Sequence, residues 1–308
     1  MNQLPTPTPP SNSAPRFGLI IIGDEILSGK RADKHLPKVI ELLKARGLAL
    51  DYADYVGDSP ARITATLKRA FASGDVVFST GGIGATPDDH TRQCAAHALG
   101  LELALHPEAA TLIRQRMQDL AQEQGKVYEP DHPDNLHRLN MAVFPVGAQL
   151  IPNPYNRIAG FFCKAKRQFP AGPPQGKLAP SGGSDPHEVR ERGGVYFVPG
   201  FPVMAWPMIE WVLDTLYPQL HQTAAWIEQS VIVFGAMEAT LTPLMQDIER
   251  LHVGVKVFSL PSVDHPEYGR HIELGVKGEP ARVAPAYADL LAGLHRFSVK
   301  LGPELVQK

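Results

Sequence analysis

The sequence predicts an α/β protein, a parallel sheet with helices on both faces, followed by a smaller α+β domain. Three observations point there. FGLIII (17–22) is a short continuous apolar run, as expected of a strand buried on both faces, and DVVFST (75–80) reads as a further strand. Segments of helical periodicity follow them, so strand and helix patterns alternate along the first half of the chain. Near residue 222 that alternation gives way to the order strand, helix, strand, strand, helix.

FGLIII opens the sheet. DKHLPKVIELLKARG (33–47) carries Leu36, Val39, Ile40, Leu42 and Leu43 near helical spacing, with Asp33 as N-cap, Pro37 in the tolerant first turn and Gly47 as the stop. LALDYADYV (48–56) is the second strand. SPARITATLKRAFASG (59–74) is a capped amphipathic helix, with Pro60 at its first position and Gly74 at its end. DVVFST, the third strand, runs through the glycine turn of GGIGATPDDHTRQCAAHALG (81–100) into another helix. A further helix is expected around 107–123, then a short helix, turns and a strand near 158–163. Residues 164–193, rich in Gly, Pro, Lys and Arg, break every periodicity and read as a flexible surface insertion. VYFVPG (195–200) resumes the sheet, and PVMAWPMIEWVLDTLYPQL (202–220) is an apolar closing helix. The expected organisation is a disordered segment at 1–15, a large domain over 16–221 and a small βαββα domain, KH-like in order, over 222–308.

A chain of 308 residues with a net charge of −2 lacks the basic excess of a dedicated nucleic-acid or membrane surface. The turn FGAMEAT also lacks the GXXG loop with which KH domains clamp RNA, so no nucleic-acid partner is expected. No apolar run is long enough to cross a bilayer, and the first fifteen residues lack the pattern of a secretory signal; a cytoplasmic protein without a membrane partner is expected. Cys94 and Cys163 stand far apart without metal-ligand spacing and are expected to be buried thiols.

The stretch RFGLIIIGDEILSGKR (16–31) invites a P-loop reading and fails it. Five residues separate Gly23 from Gly29 where a P-loop has four, Arg31 replaces the required hydroxyl, and Asp24 and Glu25 would repel phosphate. The loop must serve something else. In open α/β sheets, ligands bind beyond the carboxyl ends of the strands where the winding reverses. With the first and third strands adjacent, GDEILSG and TGGIGATPDDHT would emerge there together. Gly81, Gly82 and Gly84 let backbone N–H groups approach an anion, the next helix adds its positive N-terminus, and Thr80, Thr86 and Thr91 offer hydroxyls. Asp88 and Asp89 would repel phosphate unless a proton or a hard cation such as Mg²⁺ intervened. Either acidic pair also has a bland reading, as a turn cap or a complement to the helix dipole.

These residues resemble a known family. TGGIGATPDDHTR resembles the TGGxGxTxDDxT motif of the MoaB/Mog, or molybdopterin-binding, domain. GDEILSGK followed by Asp33 resembles the first loop of its CinA-type branch (competence/damage-inducible protein A). The likeness continues through NLHRLNMAVFPVGAQLIPNP, YFVPGFPVMAWPM and the small domain from VFGAMEATLTPLM, covering about residues 16–300 apart from the insertion; a C-terminal amidase-like domain is not expected. The resemblance implies a three-layer α/β domain and one of two chemistries. Mog-type relatives transfer adenylate to molybdopterin, whereas CinA-type relatives hydrolyse a nucleotide pyrophosphate such as ADP-ribose with a divalent metal. It makes Asp24 and Asp89 metal and catalytic candidates with Asp88 and Glu25 assisting, and it adds Gly23, Asn153, Pro199 and Gly200 to the ligand contacts. It also implies a nucleotide or pterin partner and a homo-oligomer.

The resemblance breaks at three places. CinA-type chains usually carry Asn where this one has His35, the Asn-Pro motif that normally continues Gly-Thr reads NPYNRIAG, and the Pro-Gly-x-Pro loop has Met204 near the position of a usual glutamate. Other chemistries find no footing: the twelve histidines form no zinc-ligand spacing, and no serine sits in a nucleophile elbow.

Overall fold

The computed structural model describes residues 15–164, 193–221 and 227–307. The chain divides into two compact units, Met1–His221 and Gln222–Lys308. The expected disorder at 1–15 and the expected flexible insertion fall, except at their margins, outside the described residues.

The first unit runs β1 (Phe17–Ile22), α1 (Asp24–Leu27), α2 (His35–Lys44), β2 (Leu50–Val56), α3 (Pro60–Ser73), β3 (Val76–Thr80), α4 (Thr91–Leu99), β4 (Leu103–Leu105), α5 (Pro107–Glu123), α6 (Pro133–Leu139), β5 (Val143–Pro145), β6 (Gln149–Ile151), β7 (Gly160–Cys163), β8 (Val195–Val198) and α7 (Pro202–Leu216). Six of these strands form one sheet in the order β2-β1-β3-β8-β7-β6. The first four are parallel, and β7 and β6 each run antiparallel to the strand before them in that order.

Alternation within the central strands explains why β1 is apolar throughout and β3 through Phe78. Leu19, Ile21 and Phe78 face α2 and α7, packing with Val39, Leu43, Ile209 and Leu213. Ile20, Ile22 and Val77 face the other way, toward α3, α4 and α5, among Ile63, Leu67, Ala95 and Ile113. A strand with apolar neighbours on both faces needs an apolar side chain at every position. Phe144, Phe161 and Phe197 stack with ring centroids 4.6 and 4.4 Å apart and close the second of these cores. Cys94 and Cys163 are buried free thiols within it. Burial pushes the Cys163 thiol up to about 12.

The second unit runs β9 (Ile227–Phe234), α8 (Glu238–Leu251), β10 (Lys256–His265), β11 (Gly269–Gly278), α9 (Pro280–Leu294) and β12 (Lys300–Gln307). Its antiparallel sheet has the order β10-β11-β9-β12. β12 extends the expected βαββα order to βαββαβ, the split βαβ pattern. Leu241, Ile248, Val283 and Leu290 from the helices pack on Val231, Val233 and Leu274 of the sheet. Among the described residues, no helix is long and apolar enough to cross a membrane.

Candidate functional site

The chain leaves β1 for β2 on one side and then crosses to β3 on the other, so the winding reverses between β1 and β3. Ile21 pairs with Thr80, and the loops after these two strands leave the sheet at one level. The loops after β2 and β8 flank them, since all four strands are parallel.

The glycine loop is shaped by close backbone contacts. Gly81 has φ +97°, its N–H donates to the Val198 carbonyl at 3.1 Å, and a Cβ there would collide with the Ile22 carbonyl oxygen. Gly82 has φ +67°, and a Cβ there would strike the Thr91 hydroxyl. Thr91 Oγ1 donates to the Gly81 carbonyl at 3.1 Å, and Thr91 N–H donates to the Gly82 carbonyl at 3.0 Å. Thr91 and Thr80 are buried, with Thr80 Oγ1 turned onto the Ile20 carbonyl at 3.4 Å. Both hydroxyls therefore brace the loop from behind rather than opening toward a ligand, as had been expected of them. Thr86 is exposed, and its N–H and hydroxyl both donate to Asp89 Oδ2, at 2.8 and 2.6 Å.

Buried Arg92 and exposed His137 hold the carbonyl side of this loop. Arg92, 4% exposed, donates to the carbonyls of Gly84 (2.6 Å) and Asn140, and His137 Nε2 donates to the Ala85 carbonyl at 2.7 Å. In a trans peptide the N–H points opposite its carbonyl, so these bonds turn the Ala85 N–H away from Arg92. Burial lowers the Arg92 pKa, with Asp89 acting in the opposite sense. A pocket of about 360 Å³ lies beside the clamp, lined by Thr86, Asp89, His90, Arg92 and His137 among others. A larger hollow of about 630 Å³ lies between α5 and residues 154–157, where Arg157 and Arg116 are already paired with Asp119 and Glu123.

The acidic loop begins at buried Gly23, whose N–H donates to the Val56 carbonyl at 3.0 Å. What the sequence offered as a loop is a single helical turn, Asp24–Leu27. Asp24 N–H donates to Asp58 Oδ2 at 2.9 Å, and Asp58 N–H donates to Asp24 Oδ1 at 3.1 Å. This reciprocal clasp ties the loops after β1 and β2. Burial raises the Asp58 pKa, and the charges of Asp24, Glu25 and Asp88 push it the same way against the Asp24 N–H. Asp88 belongs to the glycine loop, so its influence on Asp58 links the acidic and glycine segments electrostatically. Asp58 escaped sequence reasoning because GDSP reads as a plain turn before a capped helix; its place at the end of a strand beside the switch point is the usable signal.

On the other flank, a Cβ on Gly200 would lie 3.5 Å from the Gly81 Cα, so the Pro199–Gly200 turn backs directly onto the glycine loop. Buried His35 donates from Nε2 to the Gly200 carbonyl at 3.0 Å. Asn153 is buried and spends its amide on its own loop, at 2.8 Å to Asn156 Oδ1 and 3.0 Å to the Ile158 carbonyl, where Arg157 is held at φ +66°. It shapes that loop rather than presenting its side chain to a ligand. Two of the three departures from the family pattern meet: Asn156 Nδ2 donates to Met204 Sδ at 3.3 Å.

Among the described residues no three His, Cys, Asp or Glu side chains are gathered as a complete metal cage. The clasped pair Asp24 and Asp58 brings two carboxylates together beside the switch point. That suits Mg²⁺, which takes one or two carboxylates and fills its remaining positions with water and substrate phosphate.

Residues 18–222 match a family described as "Probable molybdopterin binding domain". A protein from Caldivirga maquilingensis is 28% identical over 241 residues, covering 78% of this chain and 79% of its own length. A CinA-like protein from Citrifermentans bemidjiense is 30% identical over 233 residues, covering 75% of this chain and 47% of its own. The chain thus matches about half the length of that CinA-like relative. The crystal structure of the protein CinA with unknown function from Thermoplasma acidophilum is similar with a TM-score of 0.48 and 22% identity, over 65% of this chain and 97% of that one.

Proposed function

The chain belongs to the molybdopterin-binding domain family, MoaB/Mog, with a likeness to its CinA-type members, and on that premise we propose that it binds a phosphate-containing nucleotide and cleaves its pyrophosphate with a divalent cation. The observation that carries the reading is the meeting, at the switch point, of a glycine loop with the acidic clasp of Asp24 and Asp58. ADP-ribose is the substrate type.

In this proposal the N–H groups of Gly82 and Gly84 and the N-terminus of α4 receive phosphate oxygens, while Gly81, whose N–H is spent on the Val198 carbonyl, shapes the loop. Asp24 and Asp89, with Asp58 beside Asp24, supply the donors for the cation. Its chemistry there is neutralisation of phosphate charge and activation of water. The free carboxylate oxygens of Asp88, Asp89 and Glu25 are the groups available to accept the proton of the attacking water. Water adds to one phosphorus, the bridging P–O bond breaks, and the products are AMP and ribose 5-phosphate. Incubation with ADP-ribose and Mg²⁺ is expected to release AMP, and Asp24→Asn or Asp89→Asn to slow that release by about a hundred-fold or more. A family named for molybdopterin supports a second reading, pterin binding or adenylyl transfer, which a co-purifying pterin would favour. A ligand that raises Tm without turnover would instead make the protein a binding module. A homo-oligomer is part of the same proposal, read by light scattering.

A further inference from the structure

We propose that Phe201 is a stacking platform for the flat nitrogen heterocycle of the ligand whose phosphates occupy the glycine loop, an inference that rests on the phosphate-ligand reading above. Phe201 is 55% exposed and follows Gly200, which abuts Gly81. The backbone of Phe201 therefore lies one residue from the glycine loop. A single exposed aromatic needs no explanation by itself. The backbone that carries this one is held on both sides. His35 Nε2 holds the Gly200 carbonyl, which belongs to the peptide joining Gly200 to Phe201. Because a carbonyl only accepts, Nε2 carries the proton, and the buried Nδ1 is left as a bare acceptor without a partner. The Phe201 carbonyl accepts from the N–H groups of Met204 and Ala205 at 3.0 and 2.9 Å, anchoring it to the first turn of α7. The Arg31 guanidinium lies over the ring, 5.9 Å from its centroid, and is itself drawn to Glu25 at 3.8 Å.

A ring on an already fixed backbone has only its side-chain torsions to lose when a base stacks on it, and base–aromatic stacking is tolerant of which heterocycle is presented. Glycine N–H groups recognise only the phosphate end of a ligand. Phe201 supplies the missing discrimination between a nucleotide and a bare phosphate ester.

Calorimetry with ADP and with pyrophosphate, each with Mg²⁺, tests this on the full chain. The wild type is expected to prefer ADP, and Phe201→Ala to weaken ADP by about ten-fold or more while leaving pyrophosphate unchanged. Phe201→Trp should keep the preference. Phe201→Leu, which keeps apolar bulk without a π face, should lose it and serves if the alanine variant folds poorly. A wild type that binds pyrophosphate as well as ADP, or a variant that loses both ligands equally, overturns the platform and leaves the phosphate reading standing. A wild type that binds neither overturns both. A change of oligomeric state in Phe201→Ala with the ADP preference intact also overturns it, the ring being then a contact between copies.

Discussion

At Gly81 the backbone and the proposed phosphate cradle are one object. The residue adopts φ +97°, and the space a Cβ would need is filled by the Ile22 carbonyl oxygen. Gly81→Ala is expected to cost more than about 1 kcal/mol in urea unfolding and to abolish any thermal shift from pyrophosphate. Asp58 carries a different liability. Its folded pKa is raised by burial and by three neighbouring carboxylates, so protonation favours the folded state. The sign follows from linkage: its contribution is fully present below the unfolded carboxylate pKa and is lost as pH rises through the raised folded value. Tm is therefore expected to fall as pH climbs just above the usual carboxylate range, Asp58→Asn to flatten that fall, and Mg²⁺ to reduce it in the wild type. Sequence reasoning named Asp24, Glu25 and Asp88 but not the aspartate they crowd, because nothing in a GDSP turn announces three distant carboxylates. Thr80 and Thr91 show the reverse failure, since a hydroxyl in a motif does not reveal which way it faces.

Among the elements, helices with caps and apolar periodicity were the most legible. α5 was expected around 107–123 and spans Pro107–Glu123, and α3 ends at Gly74 in the left-handed conformation that glycine favours. β4, β5 and β6 were not legible, being three residues each and too short to show alternation. β12 was missed because Gly302 and Pro303 interrupt it and shift its pairing between Leu301 and Glu304. Contacts between elements are less legible still. Arg46, just past α2, grips Asp214 of α7 with two nitrogens at 2.5 and 2.6 Å, across 168 positions of sequence. Arg46 holds the Asp214 carboxyl below the usual carboxylate range. That pair's stabilisation is present above the unfolded carboxylate pKa and is lost as pH falls through the lowered folded value. Asp214 is half exposed, so Arg46→Lys, which removes the two-pronged grip, should cost no more than about 1 kcal/mol by denaturant midpoint, and less in high salt.

At the scale of the whole molecule, each unit is built around its own apolar packing: two clusters line the faces of the six-stranded sheet, and a third lies under α8 and α9. Every residue assigned here to phosphate, cation or heterocycle belongs to the first unit. A fragment of residues 15–221 is accordingly expected to fold and to show the pyrophosphate-induced Tm rise of the full chain; a fragment that folds without it would move part of the binding to the second unit. The reversal of direction at β7 has one further result. Because β7 runs against β8, the chain leaving Cys163 must return to Val195 at the rim farthest from the cleft, where Gly193 N–H meets the Gly74 carbonyl at 3.0 Å. Both ends of that connection, Lys164 and Gly193, therefore sit at the floor of the sheet. A fluorescent reporter spliced between those two anchor points is accordingly expected to leave pyrophosphate binding as in the parent chain, which a thermal-shift titration of the fusion reads.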